Sequence, residues 1–234
     1  PPPRTARGRR DGFGAKVDDQ TLKTACLGVL GPKAAEILDR FLPERVSGLA
    51  AGEIRTGSML IANYIAARTG QTDLWSLEVT LPNMLIGQAW KYVTAKTGEN
   101  ALTAAGMTTA EVLRMEARLP KWGFEADEKT DPITAGLGQW ICFDKDFLGA
   151  EAVARARQAR SHQGPDGAAM RRVAWEIEPA GDSDRSAGIA PGDRLVGMAG
   201  NDIGTVTSAA FSPLSGTWLG QGRGPANLLG EGTT

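Results

Sequence analysis

Apolar and polar positions along the chain mark out short elements of both kinds. Thr24–Leu30 (TACLGVL) is an almost unbroken apolar run and predicts a short buried strand. Gly31 turns the chain, Pro32 suits a first helical position, and Lys33–Leu42 follows helical spacing with Ala35, Ile37, Leu38, Phe41 and Leu42 available to pack. Ser58–Ala66 (SMLIANYIA) predicts further strand, and Arg68–Asp73 predicts a turn. Trp75–Leu81 alternates with period two, placing Trp75, Leu77, Val79 and Leu81 on one face and Ser76, Glu78 and Thr80 on the other. The two strands around a glycine-containing turn predict a hairpin. Pro82–Asn83 opens a helix over Met84–Lys96, with Leu85, Ile86, Ala89, Trp90 and Val93 as its apolar side and Gly98 as its stop.

The next forty residues, Thr108–Phe147, combine a helix, a charged loop and an apolar run. Thr108 with Glu111 three residues on has the form of a capping box. Val112, Leu113 and Ala117 form the stripe expected to face a core, and Pro120 ends the helix. An acidic loop follows with Glu125, Asp127, Glu128 and Asp131. Trp140–Phe143 predicts a strand, closed by Asp144–Lys145–Asp146. Gly149–Arg160 predicts a short helix with a basic surface at Arg155, Arg157 and Arg160, and Ser161–Ala169 is a polar Gly/Pro segment. Short strands are then expected at Arg172–Glu178, Leu195–Val196 and Gly204–Ser208, in the manner of a small barrel or sandwich. Past Trp218 the chain turns glycine-rich, and residues 219–234 are expected to fray. The fold class is α+β: an antiparallel sheet with packed helices, then a small β-barrel-like domain. The domains are a flexible basic arm over 1–20, an α+β domain over 21–160, a linker over 161–171 and the β domain over 172–234.

Composition narrows the function. At 234 residues, 41% hydrophobic and 23% charged, the chain has the make-up of a soluble globular protein. A formal charge of -1 gives no reason to expect nucleic acid or an anionic membrane as partner, even with Arg4, Arg7, Arg9 and Arg10 in the arm. The sequence shows neither an eighteen-residue apolar span nor a secretory leader, so a cytoplasmic location is expected. Cys26 and Cys142 read as buried structural thiols. A single histidine, His162, leaves little material for a histidine zinc site or a Ser/His/Asp triad. The acidic loop lacks the ligand spacing of a calcium loop and is expected to be solvated, anchored by Arg118 or Lys121.

The run Leu113–Arg114–Met115–Glu116–Ala117, Trp122–Gly123, Glu125, Asp127–Glu128, Thr130, Pro132, Ala135–Gly136–Leu137–Gly138, Lys145 and Asp146–Phe147–Leu148–Gly149 resembles, in order and spacing, a segment of the folate-binding aminomethyltransferases typified by the glycine-cleavage T-protein. The Leu27–Pro32 region is similar to that family's LQGP segment, and Gly204, Val206–Thr207–Ser208, Ser212–Pro213–Leu214 and Gly216 to its G-x-V-T-S-G-x-x-S-P-x-L-G segment, with Ala209 in place of a glycine. The resemblance covers roughly residues 24–218, the middle and C-terminal parts of the family plan.

It implies tetrahydrofolate as cofactor and one-carbon transfer or demethylation of a small methylated substrate. The candidate cofactor contacts are Gln71, Arg114, Trp122, Glu116, Tyr64 and Trp140. No catalytic residue is assigned and no metal is expected. Two positions depart from the family. Gln71 stands where a glutamate meets the pterin edge, and an amide offers a donor where a carboxylate offers only acceptors. Ala110 stands in the place of a cofactor-binding arginine, for which Arg114 or Arg118 would substitute. Arg114 reads equally well as a clamp, pairing with Glu111 or the acidic loop. Family members carry more than a hundred residues before the LQGP-like segment, including the aspartate assigned to the transfer step. Another protein chain completing the folate cavity is therefore expected as partner. The alternative is a non-catalytic structural subunit that has kept the fold and lost folate binding.

Overall fold

The structure is a computed structural model, which describes residues 18–59, 62–70, 72, 74–97, 101–161, 170–179, 181, 188–197 and 200–225. Most of the basic arm (1–17), Gln71, most of the polar segment (162–169, including His162) and residues 226–234 lie outside the described residues. The chain divides into two compact units, Pro1–Ala104 and Ala105–Thr234. That cut differs from the boundary expected at 161–171.

The first unit contains β1 (Thr24–Leu30), α1 (Ala34–Leu38), β2 (Ile54–Met59), β3 (Ala62–Ala67), β4 (Ser76–Pro82) and α2 (Asn83–Lys96). Its sheet runs β1-β4-β3-β2 with every pair antiparallel. The expected alternation holds in β4, where Leu77, Val79 and Leu81 are buried. They join Leu38, Val46, Leu49, Tyr64 and Ala66 in one apolar core, against which Val29, Leu42, Trp75, Ile86 and Ala89 pack. Val46 and Leu49, both at 0% exposure, come from the loop after α1. Asp39 holds that loop by accepting from the Val46 N–H at 2.6 Å and the Ser47 N–H at 3.1 Å.

One expectation for this unit fails. β1 is an edge strand with no fully buried residue, because its only strand partner is β4 and its burial merely alternates between partial and exposed. Cys26, on its exposed positions, is accordingly an exposed thiol rather than a buried one. α2 occupies its expected span, and Leu85, Ile86, Ala89 and Val93 of its expected apolar side are half-buried, with Ile86 and Ala89 on the core, while Trp90 of that side is exposed. Met84 and Tyr92 stand on its open surface.

The second unit contains α3 (Met107–Glu116), a 3-10 turn (Gly138–Trp140), α4 (Ala150–Ser161), β5 (Met170–Ile177), β6 (Arg194–Val196), β7 (Asp202–Ser212) and β8 (Thr217–Pro225). Its antiparallel sheet runs β5-β8-β7-β6, and no closed barrel is formed among the described residues. The segment expected to fray is, through Pro225, an interior strand. β8 pairs with β5 on one side and β7 on the other. Its glycines create room for neighbours: a Cβ at Gly220 would collide with the Trp175 ring, and one at Gly222 would stand 2.6 Å from the Thr205 carbonyl oxygen.

Three further readings are corrected here. α3 starts at Met107 with Gly106 at its N-cap and no side-chain cap, so the Thr108–Glu111 capping box does not form. Glu111 is drawn instead to Arg114 and Lys121. Trp140–Phe143 is not a buried strand. Backbone bonds from Leu137 to Pro132 O and from Trp140 to Leu137 O curl the chain into a turn, leaving Trp140 and Cys142 exposed. Finally, the fully buried positions of α3 are Arg114 and Met115, not the Val112–Leu113–Ala117 stripe, which is only partly buried.

Candidate functional site: a buried ion network and the cavity beside it

An α-helix that buries an arginine must satisfy every donor of its guanidinium, and α3 does. Arg114 Nε and Nη2 donate to Glu111 Oε2 at 3.0 and 2.8 Å. Its Nη1 donates to Leu119 O at 2.7 Å and Glu125 Oε2 at 3.0 Å, and Nη2 also donates to Ser208 Oγ at 3.0 Å. The five N–H groups of a guanidinium are thereby spent. No donor is left for a ligand carboxylate.

Glu125, 1% exposed, is the other half of the network. Its Oε2 accepts from Arg114 and from the Lys121 backbone N–H at 2.9 Å, while Oε1 accepts from Thr207 Oγ1 at 2.7 Å and from Ser208 Oγ. Consecutive strand residues ordinarily point to opposite faces. Here β7 and β8 shift register between Val206 and Ser208, and the bulge brings Thr207 and Ser208 to the same carboxylate. Lys121 Nζ completes the cluster on Glu111 Oε1. Two cations meet two carboxylates, so the network closes without net charge. Burial alone would raise the Glu111 pKa, but hydrogen bonds from Lys121 and Arg114 outweigh it and hold the carboxyl below its ordinary value of 4.5.

A second arginine fixes the turn after α3. Arg118 is a non-glycine residue in the left-handed region, at φ 52, a conformation that persists where its surroundings over-determine it. Arg172 on β5 donates from Nη1 to Arg118 O at 2.8 Å and to Gln221 Oε1 at 2.7 Å, and from Nε to Ala135 O at 3.0 Å. Gln221 on β8, 1% exposed, donates from Nε2 to Leu119 O at 2.8 Å. Desolvation by burial is the main influence on Arg172 and lowers its pKa. The acidic loop is tied down as well: Arg223 donates to Thr130 Oγ1 at 2.8 Å and Asp127 Oδ2 at 3.4 Å. A wholly solvated loop anchored by Arg118 or Lys121 is thus not what forms. Glu125 is buried, Arg223 holds Asp127, and Asp131 accepts from the Thr134 N–H at 2.9 Å. No cluster of metal-binding side chains forms among the described residues.

Beside the network lies a cavity of about 240 Å³, lined by Met115, Glu116, Arg118, Trp175, Glu176 and Ser212 together with residues of the β7–β8 turn. Ligand pockets for larger organic molecules usually exceed about 300 Å³, so this cavity is too small for a pterin with its glutamyl tail. Of the candidate cofactor contacts singled out in the sequence, Glu116 lines this cavity and Arg114 belongs to the network beside it. Glu116 accepts from Ser212 Oγ at 2.6 Å and lines the cavity. Trp122 and Trp140 are 68% and 60% exposed, so their indole faces are open and they fill no core. Tyr64, in the first unit, is 2% exposed and lies across Gly57 of β2 with its hydroxyl buried and unpartnered among the described residues. Gln71 lies outside the described residues. Sequence reasoning missed Arg172, Gln221, Thr207, Ser208 and Glu176. The Val206–Thr207–Ser208 segment was the one signal pointing toward them.

The comparisons agree with this architecture. The description "GCVT N-terminal domain" applies to the family whose pattern matches residues 4–145, and the chain belongs to that family. The match reaches upstream into the basic arm, beyond the resemblance drawn from residue 24. A solved glycine cleavage system aminomethyltransferase T from Bartonella henselae superposes with a TM-score of 0.70 at 25% identity, over 88% of this chain and 52% of that one. Aminomethyltransferases of Moorella thermoacetica and Symbiobacterium thermophilum are 30% identical over 206 residues and 28% identical over 218 residues. They cover 88% and 89% of this chain, and 52% and 53% of their own lengths. The chain spans about half the length of the curated relatives it matches. No helix among the described residues is long and apolar enough to cross a membrane.

Proposed function

We infer that this chain serves tetrahydrofolate-dependent one-carbon transfer, of an aminomethyl or methyl group from a small methylated donor, within an assembly in which another polypeptide completes the folate cavity. The observation that carries this reading is the likeness to aminomethyltransferases over 88% of the chain. The geometry adds a rigid, charge-balanced frame around Arg114 and Glu125, of the kind that holds a site's walls in place. The open indole faces of Trp122 and Trp140 are suited to cover a flat ring system.

The cavity beside the network is too small for a pterin with its glutamyl tail, and Arg114 is fully engaged. The reading therefore assigns this chain a binding and positioning role, with the catalytic carboxylate supplied elsewhere. Titration of the purified chain with tetrahydrofolate, alone and with its natural partner, tests it. Binding in the presence of the partner is expected, and no binding in either state overturns it.

The full occupation of Arg114, with Ala110 in the place of the family's arginine, favours a second reading: a structural subunit with the same fold and no folate contact. Under it the same titration stays silent, while removing the chain dissociates the assembly.

A further inference from the structure

The Arg114 network is closed, but the cavity next to it is lined by charges that are not. Glu116 Oε1 accepts from Ser212 Oγ at 2.6 Å, and Glu176 Oε1 accepts from Thr217 Oγ1 at 2.8 Å. Ser212 and Thr217 are register partners across the β7–β8 turn, a pairing that sets such side chains about 5 Å apart on one face of a sheet. Ser215 lies between them, its N–H on Ser212 Oγ at 3.2 Å and its hydroxyl 2.6 Å from Thr217 Oγ1. The Thr217 proton is committed to Glu176, so Ser215 donates to Thr217 and every hydroxyl proton runs toward a carboxylate.

Glu176 and Arg118 are exposed and Glu116 is half-buried, so the cavity opens to solvent on its charged side. Each acid keeps its second oxygen without a protein hydrogen-bond partner, and neither has an ion pair, among the described residues. The Arg118 guanidinium, on the same cavity, also has no partner among them. The remaining wall is chiefly apolar: Met115, buried at 3% exposure, with Leu219 and the Trp175 ring, which is seated over Gly220 and whose buried Nε1–H has no partner among the described residues.

We propose that this cavity is a binding site for a small zwitterionic amino acid with a short apolar side chain. Its ammonium group sits on Glu116 and Glu176, its carboxylate on Arg118, and its side chain against Met115, Trp175 and Leu219. A simple amine would leave Arg118 unmatched and a simple acid would meet two carboxylates. Only a ligand carrying both charges satisfies all three. The size agrees. At about 240 Å³ the cavity lies below the range of pockets for larger organic ligands, which begins at about 300 Å³, and so suits a small ligand such as valine.

The proposal does not depend on the folate reading, because binding is scored with no folate present. The full chain is titrated by calorimetry with L-valine, isobutylamine and 3-methylbutanoate, the latter two lacking in turn the carboxylate and the ammonium. Saturable binding of L-valine is expected, with each truncated probe weaker by about tenfold or more through the loss of a charge-assisted contact. Arg118→Asn keeps a residue tolerant of the left-handed backbone. It is expected to bring L-valine down to the affinity of isobutylamine without weakening isobutylamine itself. Glu116→Gln is expected to weaken L-valine and isobutylamine together. Thermal melts of both variants confirm that they fold. L-valine that fails to saturate, or isobutylamine that binds as tightly as L-valine, overturns the proposal.

Discussion

The two units solve burial in opposite ways. In the first, the fully buried large side chains are Tyr64, Leu49, Leu77 and Val46, and burial is driven by apolar surface leaving water. In the second, Arg114, Glu125, Ser208, Ser212, Thr217 and Gln221 are buried, with Met115, Ala126, Ala135 and Val206 as the apolar part. An apolar core tolerates loss in proportion to the volume removed. A polar network is all-or-none: once complete it specifies one arrangement, and once broken it leaves a desolvated charge behind.

The sharpest way to break the comparison is Glu125→Ala. It strands the Arg114 guanidinium and the Ser208 and Thr207 hydroxyls, and a loss of about 3–5 kcal/mol is expected in denaturant melts. The double change Arg114→Met with Glu125→Leu is expected to cost clearly less than the two single changes added together, because no unpaired charge remains. Additive costs in that double-mutant cycle would show that the network behaves like the first unit's core.

Leu77→Ala is the matching experiment in the first unit. Leu77 is at 0% exposure in the central region of the sheet, and its truncation is expected to cost about 2–5 kcal/mol, while Leu77→Met costs less than about 1.5. Graded loss with volume here, against an abrupt loss at Glu125, is the contrast to be measured. Gly222→Ala comes next. Its added Cβ meets the Thr205 carbonyl oxygen at 2.6 Å, and forcing the β7–β8 pair apart is expected to cost about 1–3 kcal/mol. An unchanged melt would mean that β8 is as loose as its glycine content suggests.

The same contrast explains what could be read from residues alone. β4 was legible because apolar alternation along one strand states which face is buried. Val46 and Leu49 were not, since a loop held by Asp39 has no period. In the second unit the reading inverted. A charged helix residue is normally solvated, so nothing local announced that Arg114 would be buried. Its partner Ser208 is 94 positions away, and Gln221 meets Leu119 across 102. Pairings of that separation leave no trace in local periodicity. Glycine misled in the same way in β8, where it signals room for Trp175 and for the β7 backbone rather than a loose end. The family-like segments identified the fold, yet a motif fixes order and not burial. Hence Arg114 read as readily as a ligand contact as a clamp, and in the structure it pairs with both Glu111 and Glu125.

The finest test is one of pH. Glu111 lies at the solvent side of the network, its side chain 30% exposed, and bridges Arg114 and Lys121. Its folded-state pKa is below the ordinary 4.5, so the folded state holds its proton less readily than the unfolded chain does. The sign follows from linkage: stabilisation by this carboxylate is complete above about pH 4.5 and is lost as the pH falls through the lower folded-state value. Glu111→Gln removes the charge and keeps an acceptor. The variant is expected to be less stable than the parent by about 1 kcal/mol at neutral pH, with the gap closing below pH 4.5. Arg114 retains Glu125 in that variant, which keeps the loss well below that of Glu125→Ala. Parallel stability profiles for parent and variant down to pH 3, measured with urea at each pH, would instead mean that the arginine draws its whole compensation from the buried acid, and that the rim of the network carries none.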